Sequence, residues 1–303
     1  MSAIDTTFHW VRNPTNLNSL QTTYVSKRGS DTTGNGTAQN PYASIAKATS
    51  VATAGTNIML DDGVWSQQRT LNNKAFRWWG NGVTEINDSV VFMTIFSDEI
   101  AYWLKIDYAT RRNWIYYTFY DCKVNNINQV AYPGSVKAYN TIISNSYLLY
   151  TSSYEFINCI LHNCIGRGDT GTPLKVINNI LIGSSPNFAV GPGGLVDYNN
   201  YTTLSIPTGN GINSHSINNA TTGKTLADYF NYVHPNVLAN PSTATFDDLL
   251  KCDFTAKEGM ERKPVSETNT LSARTLMWKH VYISEYTTVF AKWDIWRFAS
   301  PEH

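Results

Sequence analysis

Charge is scarce in this chain. Asp, Glu, Lys and Arg make up 15% of its 303 residues, against the roughly 25% usual for soluble proteins. The 23 basic and 23 acidic residues cancel to a formal net charge of zero. That balance excludes a basic nucleic-acid footprint and a polybasic membrane patch. No stretch approaches the roughly 18 apolar residues that a membrane helix requires. The start from Met1 to Trp10 has no charged segment followed by an apolar run, so no signal peptide is read there.

Cysteine is scarce as well, at four residues. Cys122 and Cys159 fall at the same point of a repeat described below, with Thr141 between them. Two turns apart means about 9–10 Å, beyond the reach of a disulfide. All four thiols are therefore read as free and buried, which fits assembly in a reducing cytoplasm. The six histidines show no metal-ligand spacing, and His162 is read as a polar face residue. No metal or cofactor site follows from any of these residues. No phosphate-binding glycine loop or nucleophile elbow is present; Gly191-Pro192-Gly193-Gly194 reads as a wide corner.

What the chain does have is a short repeat. From Ile115 to Thr203 an acid or amide recurs at Asp121, Asn140, Asn158, Asn178 and Asn199, with gaps of 19, 18, 20 and 21 residues. The residues around it are β-branched, aliphatic or aromatic. A period this short predicts a solenoid in which each turn supplies two or three short strands. Stacked turns place like residues about 4.8 Å apart. Asn tolerates the left-handed backbone of a tight corner and can pass a side-chain hydrogen bond along the stack. These five residues are therefore assigned to a structural ladder, with Val124, Ile143, Ile157, Leu161, Ile177 and Leu181 filling the interior.

Upstream, the run from Tyr24 to Ala48 predicts a strand, a Gly-rich turn and a helix over Pro41–Ala52, with Asn40 as N-cap and Pro41 in the first position. A strand follows from Ile58, with a turn at Asp62-Gly63. These segments, Tyr24 to Ala48 and Asn57 to Trp65, resemble the entry segment of right-handed parallel β-helix proteins of the pectate-lyase-like superfamily. There a helix covers the open end of the coil before a strand begins the first turn; the proline of that turn is missing here. The resemblance implies an all-β, single-stranded right-handed parallel β-helix over 23–255. It adds an N-terminal capping helix, and the sequence adds an arm at 1–22 and a β-rich tail at 256–303.

On activity the resemblance is silent, because the superfamily includes lyases, hydrolases, epimerases and virus particle proteins. Hydrolases need two close carboxylates, and lyases of the fold cluster acids around Ca²⁺ with an Arg or Lys as base. Between Asn113 and Ser205 the acids are Asp121, Glu155, Asp169 and Asp197, one per turn. The residual catalytic candidates are Arg167, Asp169 and Lys175, read as a loop between turns. Trp78, Trp79, Trp103 and Trp114 suit core filling more than sugar stacking. Trp10, Trp278, Trp293, Trp296 and Arg297 lie outside the repeat and are of the residue types that anchor interfaces.

The expectation is a non-catalytic structural virion protein, a tail, fibre or head-decorating component of a tailed phage assembled in the host cytoplasm. Its partners would be other virion proteins and copies of itself, as a trimer by resemblance, with no nucleic acid and no membrane insertion. The alternatives are a polysaccharide lyase or hydrolase, with Ca²⁺ only in the lyase case, and a tail protein that binds a host surface glycan.

Overall fold

A computed structural model describes residues 21–66, 74–80, 83–87, 99–113, 116–129, 134–168, 175–177, 179–187, 195–197, 199–202 and 216–257. The chain is mostly β, and its parallel strands wind into a β-solenoid with few helices. It divides into two compact units, 1–110 with 116–124, and 111–115 with 125–303.

In the first unit β1 (Thr22–Val25) leads through a loop to α1 (Ile45–Val51), then β2 (Asn57–Leu60), β3 (Val64–Trp65), β4 (Arg77–Trp79) and β5 (Glu85–Ile86). They are followed by β6 (Glu99–Tyr102), β7 (Lys105–Asn113), β8 (Tyr116–Tyr120) and β9 (Lys123–Gln129), of which β7 from Arg111 and β9 from Asn125 are counted with the second unit. β1, β2, β4, β6 and β8 stack in parallel, as do β3, β5 and β7. Alternation turns every second side chain inward. Ile58, Trp78, Ala101 and Phe119 form one interior column, and Trp65, Ile86 and Ile106 another.

The helix begins later than the sequence suggested. Ser44, not Asn40, is its N-cap, and its hydroxyl accepts from Lys47 N–H at 3.0 Å. The reason lies upstream. Pro41 and Tyr42 carbonyls accept from Ser30 and Ser26, and the Asp31 carboxylate takes the amides of Ala43 and Ser44. The chain is thus tied back onto the Gly-rich loop until Ser44.

In the second unit one face carries β10 (Gly134–Tyr139), the latter half of β12 (Tyr147–Ile157), β15 (Lys175–Ile177) and β18 (Leu195–Asp197). A second face carries β11 (Ile142–Ser144), β13 (Ile160–His162), β16 (Ile180–Ile182), β19 (Asn200–Tyr201) and β20 (Ile217–Asn218). The third carries the start of β12, β14 (Ile165–Gly168) and β17 (Ser185–Asn187). Val136, Ala138, Phe156, Val176, Ile143, Leu161 and Leu181 are fully buried. Ile157, expected inside, is half-buried, because Phe156 and Val176 take the inward register and the next residue faces the other way.

Each turn fastens the one beneath it at two corners. Asp121, Asn140 and Asn158 turn the first corner with φ of 53°, 50° and 58°. The next residue points inward, and there the side chains climb. Asn179 Oδ1 accepts from Cys159 N–H at 2.7 Å, and Asn199 Oδ1 accepts from Asn179 N–H at 2.9 Å. Their amide groups donate to the carbonyls of Phe156 and Val176, at 2.9 and 2.8 Å. The Cys159 thiol reaches the Ala138 carbonyl in the same manner, at 3.2 Å. Asn199 therefore belongs above Asn179: Ile177 pairs with Asp197 and Ile180 with Asn200. Asn178 itself lies outside the described residues.

The second corner repeats the device. Asn163 Nδ2 donates to Asn145 Oδ1 at 3.1 Å, and Asn145 Nδ2 to Asn125 Oδ1 at 3.0 Å. One residue on, the Ser184 hydroxyl accepts from Cys164 N–H and donates to the Leu161 carbonyl, at 3.0 and 2.8 Å. All four cysteines are free and buried, and burial pushes the Cys122 thiol up to about 12.

Beyond β20 come α2 (Asn219–Thr222), a 3₁₀ turn (Leu226–Asp228), β21 (Phe230–Tyr232), α3 (Pro235–Ala239), α4 (Phe246–Leu250) and β22 (Asp253–Ala256). This module packs Leu226, Phe230, Val237, Phe246, Leu249 and Phe254 against the outward Ile142, Ile160, Ile180 and Ile182 of the second face. His162 is sealed beneath it rather than lying on a polar face. Its Nε2 is 2.8 Å from the Pro241 carbonyl and its Nδ1 2.7 Å from the Ser144 hydroxyl.

Candidate functional site

The outward side of β5, β7 and β9 in the first unit carries a strip of charge. Backbone bonds from Glu85 to Gly63, Lys105 to Thr84 and Lys123 to Leu104 set the register. Glu85, Lys105 and Lys123 thereby occupy successive rungs, and Asp107 sits two residues past Lys105 on the same face. The inward neighbours Ile86, Ile106 and Val124 are fully buried, which fixes the strand orientation.

Lys105 Nζ lies 3.1 Å from Glu85 and 3.4 Å from Asp107, each about a quarter exposed. One ammonium thus holds two carboxylates inside the roughly 9.5 Å limit within which acid pairs cleave glycosides. Burial alone would lower the Lys105 titration; the Glu85 and Asp107 carboxylates outweigh it and raise it. The Lys123 amine is pushed down, first by burial and then by the Lys105 ammonium. A lysine so placed holds its proton less firmly than an ordinary one and suits proton abstraction.

An aromatic wall stands around the corner from this strip. Trp79, Tyr102 and Tyr120 stack on successive rungs, with ring centroids 3.9 and 5.0 Å apart and planes within 12° and 10°. Their faces cover one another, so the middle ring offers only its edge. Trp103 occupies the corner itself at φ 50°, where the next rung has Asp121 at φ 53°. A bulky residue in the left-handed region costs about 1–2 kcal/mol, and such strain collects at working surfaces. Trp78 and Trp79 are both buried, at 1% and 2% exposure, and Trp78 packs against Phe76 in the core.

Of the catalytic candidates read from the sequence, Arg167 and Lys175 stand in separate strands. Arg167 lies within β14, level with Leu149 and Asn187, rather than in a loop. Lys175 opens β15, where its ammonium is 3.4 Å from Glu155. Asp169, Trp10, Trp114, Trp278, Trp293, Trp296 and Arg297 lie outside the described residues. Glu85, Lys105 and Asp107 lie upstream of the regular repeat, where no period in the sequence aligns them with Lys123. Their signal was the spacing: Lys105 and Lys123 each follow a corner residue, Trp103 and Asp121, by two.

Among the described residues no group of three or more His, Cys, Asp or Glu is placed to hold a metal ion. The Glu85–Asp107 pair does not suit Ca²⁺, since Lys105 already stands between the carboxylates. Among the same residues no helix is long and apolar enough to cross a membrane.

The class that this fold defines is the parallel β-helix. No family model and no curated protein matches the chain. Among solved structures it is similar to a rhamnogalacturonan lyase, at 14% identity and a TM-score of 0.20, over 65% of this chain and 49% of that one. The chain thus spans about half the length of that structure.

Proposed function

We propose that the chain is a structural virion protein, a tail, fibre or head-decorating component of a tailed phage, assembled in the host cytoplasm with other virion proteins and copies of itself. The observation that carries this reading is the pair of corner ladders, in which inward side chains of one turn cap the amides of the turn beneath. A body fastened this way resists bending and suits a load-bearing part. Four buried free thiols agree with folding in a reducing compartment. Light scattering tests the assembly role. A trimer for the full chain that is lost on removing residues 258–303 supports it; a monomer in both refutes it.

A second reading, an enzyme or binding protein for polysaccharides, is favoured by the strip of Glu85, Lys105, Asp107 and Lys123 beside Trp103. Incubation with pectic, alginate-like and capsular polysaccharides tests it. Unsaturated products or new reducing ends, lost in Lys123→Met, establish turnover. Saturable binding without cleavage, weakened in Trp103→Ala, establishes a glycan-binding protein. Neither result leaves the structural reading standing alone.

A further inference from the structure

We infer that the Pro241–Ser242 loop is an acid-released latch that holds the 219–257 module closed over the outer face of β11, β13 and β16. The loop touches the coil at three consecutive features. The Pro241 carbonyl meets His162 Nε2 at 2.8 Å, and the Ser242 carbonyl accepts from Asn163 Nδ2 at 2.7 Å. At Gly183 a Cβ would come within 2.9 Å of Ser242 Cα and 3.1 Å of the Pro241 carbonyl, so only glycine lets the loop seat.

The latch works with a neutral imidazole. A carbonyl can only accept, so Nε2 carries the proton and donates to Pro241. Nδ1 is then the acceptor for the Ser144 hydroxyl, and both Ser144 and His162 are fully buried. A second proton on the ring would make Nδ1 a donor, force the Ser144 hydroxyl to turn and accept, and leave a cation in an apolar seam. Its rung neighbours are Ser144 and Ile182, and Ile160 lies on its own strand. From the module it faces Pro241 and Ser242. Asp248 of α4 is turned to His234 and Lys251, at 3.4 and 3.8 Å. Burial lowers the His162 titration, against a smaller raising effect of the Pro241 carbonyl.

The sign follows from linkage. With the loop lifted, His162 titrates near 6.5; with it closed, lower. Closure is fully favoured above about pH 6.5 and weakens as the pH falls towards the closed-state value. The loss is about tenfold in the closing equilibrium for each pH unit of that window. Lifting the loop wets His162 and uncovers Ile160 and Ile182.

Hydrogen exchange across 226–254, compared at pH 7.5 and 5.0 and corrected for the intrinsic amide rate, reads the latch in the full chain. Wild type should exchange several-fold faster at pH 5.0, and His162→Gln, a neutral donor at both values, should show no such difference. His234→Asn, which removes the module's own histidine but keeps a helix-cap acceptor, should retain the wild-type response. NMR titration of His162 in the unaltered protein is the check that needs no variant: the ring should titrate below the ordinary histidine value, and its neutral form should carry the proton on Nε2. The latch is overturned if wild type shows no acid response, if His234→Asn abolishes it, or if His162 titrates at or above 6.5.

Discussion

Replacing Asn179 by Ala should cost far more than replacing Asn140 by Gly, although both are asparagines of one corner. Asn179 is fully buried and serves three groups: it accepts from Cys159 N–H and donates to the Phe156 carbonyl and to Asn199 Oδ1. Ala leaves the Cys159 amide orphaned in the interior, at about 1–3 kcal/mol, and removes two further bonds at about 0.5–1.5 kcal/mol each. Asn199 keeps the Asn179 amide as a donor, which trims the loss to about 2–4 kcal/mol. Asn140 contributes chiefly a φ of 50°, which glycine adopts freely. Asn140→Gly should therefore stay within about 1 kcal/mol of wild type. Thermal unfolding followed by circular dichroism should show a drop on the order of 5 °C for Asn179→Ala and little for Asn140→Gly. Equal shifts for the two variants would refute the division of labour between turning and capping positions.

Gly183→Ala should loosen the 219–257 module, raising its hydrogen exchange while leaving that of β11 and β13 interior amides unchanged, because the added carbon strikes the Pro241–Ser242 loop. Lys105→Met should move the Lys123 titration up towards, but not to, the ordinary lysine value, since burial remains the larger cause; the pH dependence of Lys123 acylation measures it, and an unmoved profile contradicts it. Asp248 is held down to about 2, first by Thr245 N–H and next by its hydroxyl. Its support of α4 is present above about pH 3.9 and lost as the pH falls through about 2. A carboxyl titration near 3.9 in the folded protein would count against that cap.

The solenoid was legible because its physics is local. Corner residues with positive φ are Asn, Asp or Gly apart from Trp103, and the period of Asp121, Asn140 and Asn158 exposes them one per turn. Which neighbouring column does the capping was not legible, since Cys122, Thr141, Cys159, Asn179 and Asn199 span three residue types and have only a hydrogen-bonding capacity in common. The same lack of residue identity displaced Asn199 by one position. His162 misled because its burial comes from a module some eighty residues later, which the spacing of the repeat cannot announce. The charged strip was hidden for another reason: Glu85 and Asp107 are far apart in the chain and acquire meaning only when Lys105 stands between them. Arg167 and Lys175, close in sequence, are placed in separate strands.

Amide exchange at Cys159, Cys164, Asn179 and Asn199, resolved residue by residue at neutral pH, tests the central claim most directly. Each of these N–H groups donates to a side chain of the next turn, from Asn179, Ser184, Asn199 and Ser216 respectively. The stacked corners predict protection as strong as that of the interior strand amides at Phe156 and Leu161. Exchange at the rate of an open loop at these four positions would mean that the turns are not fastened to one another in this register.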